Sequence, residues 1–246
     1  MGVPVDVITE AGTIDHILAS RRGGIGGWVV TANVDILRQI VADPGGRALV
    51  AGAALIVADG MPLVWASRLQ HSPLPERVAG SALITTLSAA AGDAGEAVFL
   101  LGGRPGAAER AAEQLRRVTP GLRVGWHCPP LGFEERPAQR RAIDEALEAF
   151  GPAIVYCGFG FPKQERLMAE LHPRFPGWWF LASGASIDFL AGETRRAPTW
   201  AQRAGIEWVY RLAQEPQRLF RRYVIDDTPF ALRLLVSAAR AGRRAR

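Results

Sequence analysis

The stretch Val29-Val30-Thr31-Ala32-Asn33-Val34-Asp35 passes from an apolar strand pattern into a helical pattern through a hydroxyl, an amide and a carboxylate. The same change from a short apolar run to an amphipathic stretch recurs along residues 1–192. This alternation predicts an α/β fold with a mainly parallel sheet and flanking helices. Ligands of such sheets bind outside the carboxyl ends of the strands, so we look for chemistry at these junctions.

Seven segments carry the apolar pattern of a strand: Val5–Ile8, Trp28–Ala32, Leu55–Val57, Val98–Leu101, Leu122–His127, Ile154–Cys157 and Trp178–Leu181. Helical patterns lie near 34–42, 60–69, 81–92, 105–118, 135–149 and 163–171, and again near 199–213, 216–225 and 229–240. A polar run that starts at a glycine and ends at a proline, 192–198, predicts a linker. We therefore predict a domain over 1–192 and a helical appendage over 193–246.

The positive charge of the chain is concentrated in its last fifth. The net charge is +5, and residues 195–246 contain twelve arginines but only four acidic residues. Such a tail favours phosphate groups, whether on lipid, nucleic acid or nucleotide. Apolar residues such as Trp200, Trp208 and Phe220 recur among the arginines at helical spacing. The tail is either a helical hairpin packed on the core or a membrane-surface element, and both interpretations can hold together.

Several features are missing from the sequence. Cys128 and Cys157 have no partner at metal-site or disulfide-framework spacing, which fits a reducing compartment. There is no signal-peptide pattern and no apolar run of about 18 residues, so we expect a cytoplasmic protein with at most peripheral membrane contact. The four histidines are scattered, and Asp226-Asp227 is interpreted as a cap for the helix after Pro229. We therefore expect a site without metal and without a cofactor.

Asp59 closes the apolar run Ile56-Val57-Ala58 and precedes Gly60. A carboxylate here can cap the following helix, as Thr31 and Asn33 can at the first junction. Alternatively, Asp59 is partly desolvated at the rim of the sheet, where a raised pKa suits a general base. Thr31 and Asn33 then suit sugar-hydroxyl recognition. Arg77, in a loop before the next helix, is either a diphosphate ligand or an ordinary surface arginine.

Two glycine-rich turns link strands to helices. The amides of Gly102 and Gly103 either cradle a phosphate at a helix N-terminus or form a tight turn. The second turn contains Gly160 but lacks the third glycine of a dinucleotide motif. Lys163 follows it and is the only lysine of the chain, suited to a phosphate or a uracil carbonyl. Gln164 offers the donor and the acceptor that base recognition requires.

Taken in order, these stretches resemble the WecG/TagA/CpsF family of glycosyltransferases. The resemblance rests on Thr31-Ala32-Asn33-Val34-Asp35, Ala58-Asp59-Gly60-Met61-Pro62, Pro75-Glu76-Arg77-Val78, Gly158-Phe159-Gly160-Phe161-Pro162-Lys163-Gln164-Glu165, Ser186-Ile187-Asp188-Phe189-Leu190-Ala191-Gly192, Arg196-Ala197-Pro198, Glu207-Trp208-Val209-Tyr210-Arg211-Leu212 and Glu215-Pro216-Gln217-Arg218-Leu219. It covers nearly the whole chain, and the conjunction is far more specific than any single motif.

The resemblance implies a Rossmann-like catalytic domain and a membrane-proximal basic appendage that helps to complete the site. It implies an inverting, metal-independent hexosyltransferase that moves an N-acetylmannosamine-like sugar from a UDP-sugar to an undecaprenyl-diphosphate-linked sugar. Teichoic acid, enterobacterial antigen and exopolysaccharide synthesis use such enzymes, and other family members use UDP-glucose or related donors. By motif, Asp59 is the base, Thr31 and Asn33 contact sugar, Arg77 binds substrate or diphosphate, Gln164 contacts uridine, and Arg211, Arg218 and Arg221 reach toward phosphates.

The expected partners are therefore a UDP-sugar donor, a polyprenyl-diphosphate-linked acceptor and an anionic membrane surface at the inner face of the plasma membrane. A homo-oligomer is compatible with the sequence. One alternative is a nucleotide-sugar oxidoreductase, which the missing third glycine and the missing acidic ribose ligand disfavour. Another is a nucleic-acid binder that uses the basic tail, with the strong salt dependence of such binding. We expect no nucleic-acid partner.

Overall fold

A computed structural model describes residues 2–193, 197–198, 200–201 and 205–244. Within these residues a six-stranded sheet has the order β2-β1-β6-β5-β3-β4, and every neighbouring pair of strands is parallel. The strands are β1 Gly27–Ala32, β2 Leu55–Ala58, β3 Ala97–Gly102, β4 Arg123–His127, β5 Ile154–Gly158 and β6 Trp179–Ala182. The predicted Rossmann-like α/β fold is confirmed.

Helices cover both faces of this sheet. They are α1 Glu10–Arg22, α2 Val34–Ala42, α3 Pro44–Val50, α4 Met61–Leu69, α5 Gly80–Asp93, α6 Ala107–Val118, α7 Pro137–Phe150, α8 Lys163–Leu171 and α9 Ser186–Leu190. The tail contributes α10 Glu207–Gln214, α11 Pro216–Phe220 and α12 Thr228–Arg244, with a π-helical segment, Arg221–Asp227, between the last two. A single 3₁₀ turn, Phe133–Glu135, precedes α7.

The strands are apolar along their whole length because both faces of the sheet are covered. Successive residues alternate between the faces, so Val30 and Leu101 lie in one core cluster while Val29 and Leu100 lie in the other. All four side chains are fully buried. A parallel sheet that is buried on two sides is typically built from such continuous apolar runs.

The predicted strand Val5–Ile8 is wrong. Asp6 donates its backbone N–H to Ile56 O at 2.8 Å, but the Ile56 N–H bonds to the Asp6 carboxylate at 2.7 Å instead of a backbone carbonyl. The Asp6 carboxylate thus accepts the hydrogen bond that a backbone carbonyl accepts in a β ladder. For this reason the backbone pairing of this segment with β2 does not continue. Val7, next along the segment, is 71% exposed.

Three helices were not predicted from the sequence: α1, α3 and α9. The first of them has few apolar residues on its buried side, which consists of Thr13, Ile17 and Leu18. Its start is set by a local contact instead, since Thr9 accepts a hydrogen bond from Gly12 N at 2.9 Å. An N-cap of this kind stabilises a helix that hydrophobic periodicity alone does not indicate.

Asp227 is not the helix cap that its position before Pro229 suggested. The helix continues from α11 through the π-helical segment into α12, so no helix starts there that needs a cap. Asp227 is buried instead and accepts a hydrogen bond from Arg38 Nε at 3.0 Å. The π-helical turn lies directly before Pro229, whose ring a regular α-helix does not accommodate.

Helix α12 packs on the core. Leu234 and Ala238 belong to the same buried cluster as Leu63 of α4. At Gly242, an added Cβ would lie 2.1 Å from the carbonyl oxygen of Leu69, which shows how closely α12 approaches α4. The packed-hairpin interpretation of the tail therefore holds for this helix.

Two predictions about the tail fall partly on residues that the structure does not describe. The domain boundary after residue 192 stays a prediction, since 194–196 lie outside the described residues. Of the helix predicted near 199–213, residues 199 and 202–204 are likewise not described, and 207–214 are helical. Within the described ranges, no helix combines the length and the apolar character that crossing a membrane requires.

The close approach of α12 to α4 makes a prediction about stability. We expect Gly242→Ala to lower the free energy of unfolding by about 1–3 kcal/mol, because the new methyl group overlaps a backbone oxygen that cannot move alone. Urea denaturation followed by circular dichroism measures this change. Ser237→Ala, on the exposed side of the same helix, is the control and should change stability by less than about 0.5 kcal/mol. Equal midpoints for the two variants would show that α12 is not docked as described.

Candidate active site

A cavity of about 720 Å³ opens at the carboxyl edge of the sheet. Its lining comes from the loops that follow all six strands and from the tail. Asn33, Asp59, Phe159 and Ser183 represent the loops after β1, β2, β5 and β6, and Arg211 represents the tail. This volume is within the range that small-molecule sites occupy. The cavity therefore lies where parallel α/β sheets bind their ligands.

Asp59 lies directly after β2 and is held from both sides. Its N–H donates to Ala32 O at 2.8 Å, and its Oδ2 accepts a hydrogen bond from Gly80 N, at the start of α5, at 3.2 Å. Burial raises the pKa of Asp59 to about 7, although the nearby charge of Arg77 opposes the rise. A carboxyl group with this pKa can accept a proton near neutral pH, as a general base must.

Arg77 is an ion-pair partner and not a surface arginine. Its Nη1 lies 2.9 Å from Oε2 of Glu207, and the two side chains are only 17% and 16% exposed. Glu207 is the first residue of α10, so this pair joins the tail to the loop beside Asp59. The sequence did not indicate this role for Glu207, because the two residues are 130 positions apart.

Thr31 and Asn33 both line the cavity, and both already make local hydrogen bonds. The Thr31 hydroxyl donates to Ala182 O at 2.9 Å, which ties β1 to β6. Oδ1 of Asn33 accepts from Ile36 N at 3.0 Å and caps α2. The capping role that the sequence left open for Asn33 is therefore present. Sugar contacts by these two residues stay predictions.

The amides of the Gly102-Gly103 turn do not form an open phosphate cradle. Gly103 N donates to Gly158 O at 3.0 Å, and the next amide, Arg104 N, donates to Asp188 Oδ1 at 2.8 Å. Both glycines have positive φ, and a Cβ on Gly102 would lie 2.7 Å from the Phe159 ring. The tight-turn alternative explains these glycines, and of the two only Gly103 lines the cavity.

Gln164 fastens two loops of the cavity together. Its side chain is buried, and its Oε1 accepts from Gly160 N at 3.0 Å and from Gly184 N at 3.2 Å, in the loops after β5 and β6. Its Nε2 donates to the buried carboxylate of Glu165 at 3.0 Å. Lys163 lies at the rim, 55% exposed, with Nζ 2.6 Å from Oε1 of Glu134.

Two of the three predicted tail arginines line the cavity. The Arg211 guanidinium lies 5.1 Å from the centre of the Phe189 ring, and Arg218 is ion-paired with Glu215. Arg221 is exposed and does not line the cavity, so its predicted place in the site is not supported. Its neighbour Arg222 is in the cavity wall, 2.8 Å from Asp35. A π-helix forms i→i+5 hydrogen bonds, so its side chains point in directions that α-helical periodicity does not predict. No pattern in the sequence indicates that a π-helical turn occurs here.

The comparison with known families agrees with this geometry. The family model described as glycosyl transferase WecG/TagA/CpsF family matches residues 1–244. The chain belongs to that family. The protein is thus a glycosyltransferase, and the cavity with Asp59 at its floor is its candidate active site.

Most cations that the described residues contribute to the glycosyltransferase cavity are neutralised by carboxylates. Among these residues, six basic side chains line it: Arg77, Arg104, Lys163, Arg211, Arg218 and Arg222. Five of them form ion pairs. Within the part of the chain that the structure describes, Arg211 is the cavity cation for which we find a ring contact and no ion pair. Its charge also lowers the pKa of Asp59, so it lies near that carboxyl group.

No group of three or more His, Cys, Asp or Glu side chains in the described ranges is arranged to hold a metal ion. Metal independence of the transfer stays a prediction. Acidic residues of the cavity are instead ion-paired with arginines. Asp35 and Asp227, for example, are both buried and both pair with Arg38 and Arg222, which are partly exposed.

The charges around Asp59 make a prediction about its ionisation. Glu207→Gln should lower the pKa of Asp59, because a negative neighbour that disfavours the ionised form is removed. Arg77→Gln should raise that pKa, because a positive neighbour is removed. Carbon-detected NMR titration of the aspartate carboxyl groups measures both shifts. Glu193→Gln, which removes an exposed partner of Arg110, is the control and should leave the pKa unchanged. Shifts of the same sign in both variants would contradict the charge arrangement described here.

Proposed function

We propose that this glycosyltransferase moves a hexose from a UDP-sugar to a sugar that is linked through a diphosphate to undecaprenol. The donor is N-acetylmannosamine-like, with UDP-glucose as the alternative within the family, and the product belongs to a cell-surface polysaccharide. The observation that carries the proposal is Asp59, whose pKa is raised to about 7 beside Arg77 and Arg211 on the floor of the cavity. A hydroxyl acceptor needs such a base, and a diphosphate leaving group needs such cations.

The transfer is a single displacement. An acceptor hydroxyl oxygen attacks the anomeric carbon of the donor, and Asp59 takes the hydroxyl proton. The bond between the anomeric carbon and the β-phosphate oxygen breaks, and its electron pair leaves with UDP. Because the nucleophile enters opposite the leaving group, the anomeric configuration inverts. Asp59 has to be ionised before the step, which requires a pH near or above its pKa.

Arginines of the cavity stabilise the departing diphosphate in this proposal. Arg211 is available without the loss of an ion pair, whereas Arg77 and Arg218 would exchange a carboxylate for phosphate oxygens. Charge-assisted hydrogen bonds to phosphate are among the strongest in proteins, and they act on the charge that develops as UDP leaves. No metal ion is then needed to neutralise the leaving group.

The order of the strands supports an orientation for the donor. Asp59 follows β2, and Gln164 and Lys163 follow β5, which lies three strands away in the order β2-β1-β6-β5. Three strand spacings amount to about 14 Å, a span that an extended nucleoside diphosphate sugar covers. We therefore assign the uridine to the β5 end, with Gln164 and Lys163, and the sugar to the β1–β2 end, with Thr31, Asn33 and Asp59.

The exposed side of the tail supports contact with an anionic membrane at its cytoplasmic face. Large apolar side chains are exposed there, namely Trp200, Phe220, Ile225, Leu232 and Val236. Arg221, Arg233 and Arg240 are exposed along the same helices. Aromatic and aliphatic residues interleaved with arginines are typical of helices that lie on anionic bilayers. Peripheral attachment brings the cavity to an acceptor whose lipid stays in the bilayer.

The assignment of the base predicts the behaviour of Asp59→Asn. We expect this variant to lose about 10²–10⁴-fold in turnover, because the acceptor proton has no receiver, while UDP still binds. The wild-type turnover number should fall as the pH drops below about 7, where Asp59 is protonated. A mass-spectrometric screen of UDP-sugars, with calorimetry for UDP, gives these readouts. Turnover within a few-fold of the wild type would exclude Asp59 as the base.

The same variant should remain folded. The native state holds the Asp59 proton up to a pH of about 7, whereas the unfolded chain releases it near 3.8. Stability therefore decreases as the pH rises through this interval, and an uncharged asparagine avoids the loss. The melting temperature of Asp59→Asn at neutral pH should equal or exceed that of the wild type. Asp15→Asn, at an exposed position on α1, is the matched control with normal turnover.

The free charge of Arg211 predicts a contribution to UDP affinity. Arg211→Gln should weaken UDP binding by about tenfold or more, since a charge-assisted hydrogen bond contributes roughly 1.5–3 kcal/mol. Calorimetry with UDP measures the change. Arg117→Gln, at an exposed position of α6 outside the cavity, should bind UDP as the wild type does. Equal affinity of both variants would place the diphosphate elsewhere.

A further inference from the structure

Two aromatic side chains of the tail face the active-site cavity without a ligand role assigned to them. Trp208 and Tyr223 both line the cavity, and Trp208 is 42% exposed. Their rings meet edge to face with centroids 6.3 Å apart. We propose that Trp208, oriented by Tyr223, is the platform on which the acceptor sugar stacks. This inference rests on the transferase function proposed above.

The residues that precede Trp208 in sequence are held close to Asp59. Glu207, the preceding residue, is ion-paired with Arg77 beside Asp59. Gly205 is seated against α4, because a Cβ there would lie 2.8 Å from Cβ of Met61, two residues after Asp59. The start of α10 is thus held at two points close to Asp59. A sugar on Trp208 lies on the side of the cavity where the proton has to be removed.

The orientation of the pair is fixed from the other side by Arg222. Its guanidinium lies 5.6 Å from the centre of the Tyr223 ring and is ion-paired with Asp35 of α2 at 2.8 Å. Asp35 is buried. Tyr223 is therefore connected through Arg222 to α2, the helix that follows β1. Its edge-to-face contact with Trp208 restricts the orientation of the Trp208 ring as well.

The chemistry of the pair suits a pyranose. One face of a pyranose ring presents C–H groups, which pack on the flat indole, while its hydroxyls stay at the rim and reach polar groups. A half-exposed tryptophan inside a cavity is unusual for a structural role, since burial of the ring is favourable. The nucleobase is a poorer candidate, because its assigned end of the cavity is at β5.

Contact with lipid is also a poorer explanation for Trp208. Trp200 and Phe220 are more exposed, at 67% and 53%, and neither lines the cavity. These two belong to the outer side of the tail, whereas Trp208 belongs to the site. Trp208 thus lies where it can contact a substrate, whereas Trp200 and Phe220 lie where they can contact a membrane.

Steady-state kinetics test the subsite with a UDP-sugar donor and a short-chain prenyl-diphosphate-linked N-acetylglucosamine or glucose as acceptor. We expect Trp208→Leu to raise the KM for the acceptor about tenfold or more, equivalent to about 1.4 kcal/mol, with the donor KM unchanged. Trp208→Phe, which keeps an aromatic face, should recover most of the acceptor affinity. Trp126→Leu replaces an equally exposed tryptophan on β4, 41% exposed and outside the cavity, and should behave as the wild type. A raised donor KM with a normal acceptor KM would assign Trp208 to the nucleotide and overturn the proposal.

A binding experiment that needs no turnover keeps the two proposals distinguishable. In the Asp59→Asn background, calorimetry should detect binding of the acceptor analogue, and the added Trp208→Leu substitution should weaken this binding about tenfold. Unchanged binding of the analogue in the double variant contradicts the acceptor platform. Failure of the wild type to transfer from any UDP-sugar contradicts the proposed function instead. Loss of analogue binding in Trp208→Leu, with normal melting temperature and normal UDP affinity, supports the subsite.

Discussion

The parallel alignment of the six strands is the constraint on which the rest of the molecule depends. Because all strands run in one direction, their carboxyl ends meet at one edge, and the loops that leave them share one cavity. Asp59 after β2 and Gln164 after β5 are distant in sequence but lie on the same edge, a few strand spacings apart. The hydrogen bond from Asp59 N to Ala32 O continues the ladder between β1 and β2, so the backbone of Asp59 is fixed to the edge of the sheet.

The tail contacts this edge of the sheet through its carboxylates as well as through its arginines. Glu207 pairs with Arg77, Glu215 with Arg104, and Asp227 with Arg38. Each pair joins the tail to a loop or helix that flanks the sheet. Removal of Arg77 or Glu207 would leave the other charge partly buried and without its ion-pair partner, which is more costly than the pair is favourable. The tail is thereby held in register over the cavity, and α12 adds apolar packing against α4.

The balance of charges explains how several arginines can share one cavity. Several arginines in one cavity would repel each other, and their carboxylate partners remove that repulsion. In the proposed function, a diphosphate takes the place of these carboxylates as a stronger, multivalent acceptor. Burial outweighs the neighbouring arginines at Asp59 and leaves its pKa near 7. Burial also raises the pKa of Asp227, but that carboxylate is ion-paired with Arg38 and Arg222, whereas Asp59 accepts a hydrogen bond from a backbone amide.

The sequence by itself determined the α/β class, six of the strands, most sheet-covering helices and the family. These follow from local patterns: apolar runs, helical periodicity and motifs of adjacent residues. Tertiary structure alone decided which groups meet across the chain, such as Arg77 with Glu207, or Arg222 instead of Arg221 in the cavity wall. It also decided that Val5–Ile8 is not a strand and that the Gly103 N–H is hydrogen-bonded to Gly158 O. Long-range hydrogen bonds, a π-helical turn and desolvation depend on packing between distant segments, and no local pattern encodes them.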